Sequence, residues 1–402
     1  MDLKSGYPFW PVTNGLPAAF PPLRTDLSCD VAVVGAGITG ALIARALANA
    51  GLDVVVLDKR DVGWGSTAAS TALLQYEIDT ELVDLARTQG EENAVAAYKA
   101  CEAAIGTLGE VASGLGSVGF RRMQSLYIAS HWYHAARTRA EGEFRKRHGF
   151  SLSMLERGEL SERFGIRAPV ALLTPVAAQV DPYRMTYSLL RRLARGGVRI
   201  FDRSEMLSFK PAPRGVELQV QRDVRIRCEH LVIAAGYEAQ KYLPATVAKN
   251  RSSYALVTEP PLGGVGILKD TLLWESARPY LYLRSTSDGR VLVGGEDDNV
   301  DIPIKRDALV RAKSRRLMKK LHRLLPNTPF EEGFSWAGTF AETRDGLPFF
   351  GPHRKLDKRV HFAMAYGGNG ITYSAIGAEI ILAHVLSRKH ELMRLFSFDR
   401  VD

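Results

Sequence analysis

A chain of 402 residues, with 46% hydrophobic and 24% charged side chains, has the balance of an ordinary globular protein and more apolar material than one small core needs. Two domains are expected, neither disordered nor fibrous. Cys29, Cys101 and Cys228 are widely spaced, odd in number and in no CxxC arrangement, which indicates neither a disulfide framework nor a zinc cluster, leaves no metal ligands to name, and fits a reducing compartment.

The net charge of +9 suits an anionic cofactor or substrate as well as it suits nucleic acid. Its densest stretch, Lys305 to Arg323, has leucines near helical spacing and no stacking aromatics. It reads as a surface helix with a solvated basic face, and no nucleic-acid partner is expected.

In chain order, Met1 to Pro22 carries Pro8, Pro11, Pro17, Pro21 and Pro22 and no charged-then-apolar leader pattern, so it reads as an extended arm. No long apolar run occurs, so no membrane span and a cytoplasmic location are expected. Asp30 to Val34, Ile38 to Asn49 and Asp53 to Leu57 read strand, helix, strand, the βαβ unit of a parallel sheet.

A long helix is expected from Thr80 to Ala112, a strand from Phe120 to Ala129, and a helix from Tyr183 to Arg195 stopped by Gly196-Gly197. Next come a strand over Val198 to Phe201, a hairpin around Arg222-Asp223, and a buried strand, Leu231 to Ala235, that ends in Gly236. Tyr254 to Gly295 alternates like antiparallel sheet, which does not belong to a parallel nucleotide fold and marks an interleaved second domain. Val360 to Met364, a glycine turn and the apolar run Ile376 to Leu386 return the chain to the first.

Gly35-Ala36-Gly37-Ile38-Thr39-Gly40 follows a strand and opens a helix, the context that gives a GxGxxG pattern its meaning. Gly35 permits the tight turn, Gly37 a close approach of backbone to a pyrophosphate, and Gly40 close packing of helix on strand. Asp58, at the end of the second strand and followed by Lys59, is placed to accept from a ribose hydroxyl, which disfavours NADP. The small-residue run Gly63 to Ser70, with Gly65, Ser66 and Thr67, suits the close approach of a flavin dinucleotide.

Those motifs, with Leu231 to Gly236, Thr343 to Gly351 and Gly367-Gly368-Asn369-Gly370-Ile371-Thr372, resemble the D-amino-acid oxidase superfamily of FAD enzymes. The Trp- and Pro-containing arm and Gly294-Gly295-Glu296-Asp297 are similar to its gamma-glutamylputrescine oxidase branch, with glycine oxidase and sarcosine oxidase more distant likenesses. The resemblance implies an α/β fold: a Rossmann-type FAD-binding domain of the glutathione-reductase kind, interleaved with an antiparallel-sheet substrate domain. The expected boundaries are an arm over 1–27, an FAD domain over 28–115, 150–245 and 331–395, and a substrate domain over 116–149 and 246–330. Ala235 and Gly236 are expected to contact the cofactor, and Gly346, Pro348 and Gly368, Asn369, Gly370, Ile371 and Thr372 to lie by the isoalloxazine ring.

Positions that attach FAD covalently in some relatives are Ala68 and Gly338 here, so FAD is expected to be held non-covalently. Relatives clamp a substrate carboxylate from positions matching Phe340, Gln75 and Thr372, none of which is basic, and a lysine that speeds oxygen reduction matches Leu292. The expected substrate is an amine, or an amino acid held differently, whose C–N bond is oxidised by hydride transfer to the flavin with oxygen as acceptor. The alternative is a dehydrogenase passing electrons to a quinone or partner protein, with a hydroxy-acid substrate open. Tyr280, Tyr282 and Arg284 alternate on one strand. They form the expected substrate face, with Arg284 meeting an anion; the other reading packs the tyrosines in a core with Arg284 reaching solvent. Phe340 and Tyr366 complete the catalytic candidates; Tyr254 and Glu275 stand behind them.

Overall fold

The computed structural model describes residues 2–300 and 302–401. Among them lie two large sheets, of eight and ten strands. In the first, Val360–Met364, Val224–Ile233, Leu27–Val34, Val54–Leu57 and Arg199–Phe201 run parallel in that order. Phe349–Pro352 adds an antiparallel edge, and Met206–Ala212 and Gly215–Val220 continue antiparallel from Val224–Ile233. The continuous β-branched runs follow from burial on both faces. Val31, Val33, Val54 and Val56 pack into one core with the helices Ile38–Asn49, Pro182–Arg195 and Gly370–Val385, while Ala32, Val34, Val55 and Leu57 pack with residues of the hairpin.

The second sheet has the order Lys4–Ser5, Glu332–Thr343, Ala248–Thr258, Val291–Asp298, Leu281–Ser285, Thr271–Glu275, Arg121–Ile128, Val170–Gln179, Leu73–Gln75, with Ser153–Glu156 pairing Val170–Gln179. Its neighbours are antiparallel except Thr271–Glu275 beside Arg121–Ile128. The basic segment is the helix Pro303–Leu324, which packs on this sheet through the buried Leu317 and Leu321 and leaves much of its charge outward.

Three expectations are corrected. Ser153–Glu156 and Val170–Gln179, placed in the nucleotide segment 150–245, belong to the ten-stranded sheet, as do Leu73–Gln75 and Glu332–Thr343, placed in 28–115 and 331–395. The chain crosses between sheets more often than the boundaries allowed, because these strands alternate no more clearly than buried parallel ones. The long helix is two, Leu82–Gln89 and Glu91–Ser113, broken at Gly90. The arm is not extended: Lys4–Ser5 pairs with Glu332–Thr343, and Phe9–Asn14 is a helix with Phe9 and Trp10 buried. The Trp10 indole donates to the Ser70 carbonyl at 2.7 Å, so the prolines shape a docked segment. No helix among the described residues is long and apolar enough to cross a membrane, no metal-ligating cluster is present among them, and the three cysteines are buried and free.

Candidate active site

A single cleft runs from the end of the parallel strands to the face of the ten-stranded sheet. At one end, Gly35, Gly37, Ile38 and Thr39 line it at the N-terminus of Ile38–Asn49, where backbone N–H groups and the helix dipole favour an anion. Gly35 sits at φ 114°, and a Cβ there would lie 2.2 Å from the Ala234 carbonyl oxygen. No other residue fits that turn. Gly40 does not line the cleft; it gives room for the helix to close on the Gly35 carbonyl.

Thr67 accepts from the Ile38 N–H at 3.0 Å, tying the small-residue loop to the helix start. Gly65 and Ser66 line the cleft beside it, and the buried Ser66 Oγ has no hydrogen-bond partner among the described residues. Asp58 accepts from the backbone of Ala36 at 2.7 Å and Arg60 at 2.9 Å, and burial pushes its carboxyl up to about 6 against those two bonds. Lys59 pairs with Glu238 at 2.8 Å, and Ala235 and Gly236 complete this end.

In the middle, Gly368, Asn369, Gly370 and Ile371 line the cleft at the start of Gly370–Val385. Asn369 donates to the carbonyls of Gln75 and Glu77 at 3.0 and 2.8 Å, fixing this turn to the ten-stranded sheet. Asp79 makes a second tie: it accepts from the Gly368 N–H at 2.8 Å and from the Tyr280 hydroxyl at 3.2 Å.

At the far end Tyr280 and Tyr282, ring centroids 5.6 Å apart, face the cleft with Trp274, Phe340 and Tyr366. The Tyr282 ring crosses Gly294 of the next strand so closely that a Cβ there would lie 2.1 Å from it, which is why the strand carries glycine. Tyr366 donates to the Gly236 carbonyl at 2.9 Å and so spans toward the nucleotide end. Asp297 lines this end too; burial pushes its carboxyl up to about 6, and its Oδ1 has no hydrogen-bond partner among the described residues. Glu77 lies deeper, 3.6 Å from the buried Arg145.

Four expected positions fall elsewhere. Arg284 is buried away from the cleft lining, its guanidinium donating to the carbonyls of Ala72 (2.8 Å), Val180 (2.9 Å) and Ser285 (3.1 Å) and facing the Trp10 ring. It is neither an anion contact nor solvent-reaching, because the strand runs on beneath the arm. Thr372 is buried with its hydroxyl toward the Gln75 carbonyl, and Gly346 and Pro348 sit behind the turn, accepting from Tyr373 and Arg400. Of the weaker candidates, Tyr254 lines the cleft but turns its hydroxyl to Asp298, and Glu275 accepts from Ser130 outside it.

Sequence reasoning missed Asp79, Asp297 and Trp274. Asp297 had a usable signal, the second of two acids that follow the Gly294-Gly295 pair; Asp79 follows a strand too short to read.

The cradle fits FAD by its own features: a glycine turn without room for a side chain, an open helix N-terminus, a buried serine hydroxyl with no partner among the described residues, and a cleft long enough to join a ribose acceptor to an aromatic pocket. That arrangement defines the class, a dinucleotide-binding enzyme with a separate substrate roof. The family model for FAD-dependent oxidoreductases of the DAO type matches residues 30–384, and the chain belongs to that family. It is an FAD-dependent oxidoreductase. It is 26% identical to glycine oxidase of Geobacillus kaustophilus, over 92% of this chain and 96% of that one, and 23% identical to gamma-glutamylputrescine oxidoreductase of Escherichia coli, over 90% and 85%. The solved L-proline dehydrogenase of P. horikoshii superposes with a TM-score of 0.79 at 17% identity, over 94% of this chain and all of that one.

Proposed function

We propose that this protein oxidises the C–N bond of a small amine or amino acid, using FAD held without a covalent bond and oxygen as the electron acceptor. The observation that carries the reading is the continuity of the cleft, from the phosphate-accepting helix N-terminus past the Gly367–Ile371 turn to Tyr280 and Tyr282. The names of the relatives, a glycine oxidase, a gamma-glutamylputrescine oxidoreductase and an L-proline dehydrogenase, support the C–N chemistry. Ala68 and Gly338 offer no atom for a covalent link.

Bound FAD would supply the acceptor for a hydride from the carbon beside nitrogen, leaving an imine that water hydrolyses, and would pass both electrons to oxygen as hydrogen peroxide. The protein's own part is placement. The Ile38 helix start and Ser66 would hold the diphosphate, and Asp58 the ribose. Asp79 couples the Gly368 turn to Tyr280, so the substrate wall and the ring-side turn keep one spacing. Trp274, Trp336, Phe340 and Leu3 keep water out.

Anaerobic mixing of the yellow protein with a panel of amines and amino acids tests the reading. Bleaching of the flavin band, its recovery in air with peroxide formed, and release of intact FAD on acid precipitation are expected. Bleaching by hydroxy acids alone would overturn it. Leu292, buried where the sarcosine oxidase resemblance has its oxygen-activating lysine, favours one second reading, a dehydrogenase. Recovery with an artificial acceptor but not with air would select it.

A further inference from the structure

The cations along the cleft are confined to one end. The lysines and arginines that line it, Lys59, Arg60 and Lys241, all stand at the nucleotide end, mixed with Asp58, Glu205 and Glu238, whereas the substrate end has Glu77, Asp79 and Asp297 beside Tyr280, Tyr282 and Trp274 and no lysine or arginine in its lining. Glu77 has Arg145 behind it, and Asp79 accepts two hydrogen bonds. Asp297 is different. Its Oδ1 is buried and, like Glu77 Oε2, lacks a hydrogen-bond partner among the described residues, but no arginine or lysine among them forms an ion pair with it, and of the side chains only the Ser253 hydroxyl favours its charge by hydrogen bonding.

A buried carboxylate oxygen without a partner is costly, and proteins keep such groups where something else supplies the missing contact. The nearby cations do not supply it. Arg278 is exposed at the rim, its guanidinium 4.5 Å from the Tyr280 ring and donating to the Asp79 carbonyl, and Lys313 donates to the Glu296 carbonyl and pairs with Asp298 at 3.1 Å.

We propose that the substrate end is a cation site, and that the substrate is a di- or polyamine whose second, protonated nitrogen pairs with Asp297 while Asp79 and the faces of Tyr280 and Tyr282 surround it. This rests on the reading of the protein as an amine-oxidising flavoenzyme. The nitrogen that reacts must be neutral to give up a hydride from its neighbouring carbon, so a lasting positive charge has to belong to another nitrogen. Aromatic faces attract an ammonium group and the carboxylate completes its coordination. A substrate carboxylate in the same place would meet two like charges, which selects against amino acids.

The test uses the holoenzyme under anaerobic conditions with putrescine, butylamine and gamma-aminobutyrate, which share a carbon-chain length and differ at the far end. Dissociation constants are read from the perturbed flavin spectrum and, independently, from thermal shifts. Putrescine should bind about tenfold or more tighter than butylamine, with gamma-aminobutyrate weakest. Asp297→Asn should erase the preference with flavin content unchanged, and Asp297→Glu should retain part of it.

Equal binding of the three, tighter binding of gamma-aminobutyrate, or undiminished selectivity in Asp297→Asn would each overturn the cation site. The two readings fail separately. Preference for putrescine without bleaching by any amine would sink the oxidation chemistry and leave the cation site. Bleaching by amines that bind without preference would do the reverse.

Discussion

Asp297 ties stability to function in one side chain. Its carboxyl is raised from the ordinary aspartate range to about 6, chiefly by burial and further by Asp79, with Ser253, Arg278 and Lys313 acting against the rise. In the unfolded chain the same group titrates near 4, so between about pH 4 and about pH 6 the folded state holds the proton more tightly. Stability from this group therefore falls as pH rises through that window, and the whole cost, on the order of 2 to 3 kcal/mol, is present at neutral pH.

Asp297→Asn should melt at a higher temperature than the parent near pH 7 in the absence of substrate, with the gap closing below about pH 4. Melting curves across that range decide it. A gap independent of pH would mean that the carboxylate is not the strained group.

At the scale of the element, the strand Leu281–Ser285 shows what periodicity can and cannot give. Alternation places Tyr282 and Arg284 on one face, following Tyr280, and the rings of Tyr280 and Tyr282 do face the cleft. Alternation says nothing of what lies over each step of that face. Trp10 of the arm and the chain beside the strands Leu73–Gln75 and Val170–Gln179 lie over Arg284, whose guanidinium joins the Ala72 and Val180 carbonyls to its own strand.

Arg284→Ala should accordingly lower stability by about 1 to 3 kcal/mol for each carbonyl left without a donor, with the substrate KM little changed in whatever protein folds. Denaturation and steady-state kinetics on one preparation separate the effects. A large KM increase at unaltered stability would put Arg284 back in the substrate site. The glycine turn from Gly35 to Gly40 was legible for the opposite reason, since its demands are local: a positive φ, a helix start and a strand before it. Asp79 was hidden because its role comes from elements distant in sequence meeting at the cleft, Tyr280 at 3.2 Å and Gly368 at 2.8 Å.

At the scale of the molecule, two sheets share one chain that crosses between them repeatedly, and the cleft lies where the crossings meet. The parallel half was readable from its glycine turn and valine runs. The extent of the second sheet was not, because Val170–Gln179 is buried along most of its length, Glu332–Thr343 only in part, and the partners of both are set by long-range pairing. Interleaving also explains why the arm matters: Leu3 lines the cleft, and Trp10 holds the Ser70 end of the cofactor loop.

The most direct measurement is a crystal structure of the holoenzyme with putrescine bound anaerobically. The diphosphate is expected at the Gly37–Thr39 helix start, the flavin ring against the Gly367–Ile371 turn with no bond to the protein, and the amine between that ring and Tyr280 and Tyr282, its far nitrogen on Asp297. A diphosphate bound away from that helix, a flavin joined to a side chain, or an amine lodged outside the cleft would contradict it.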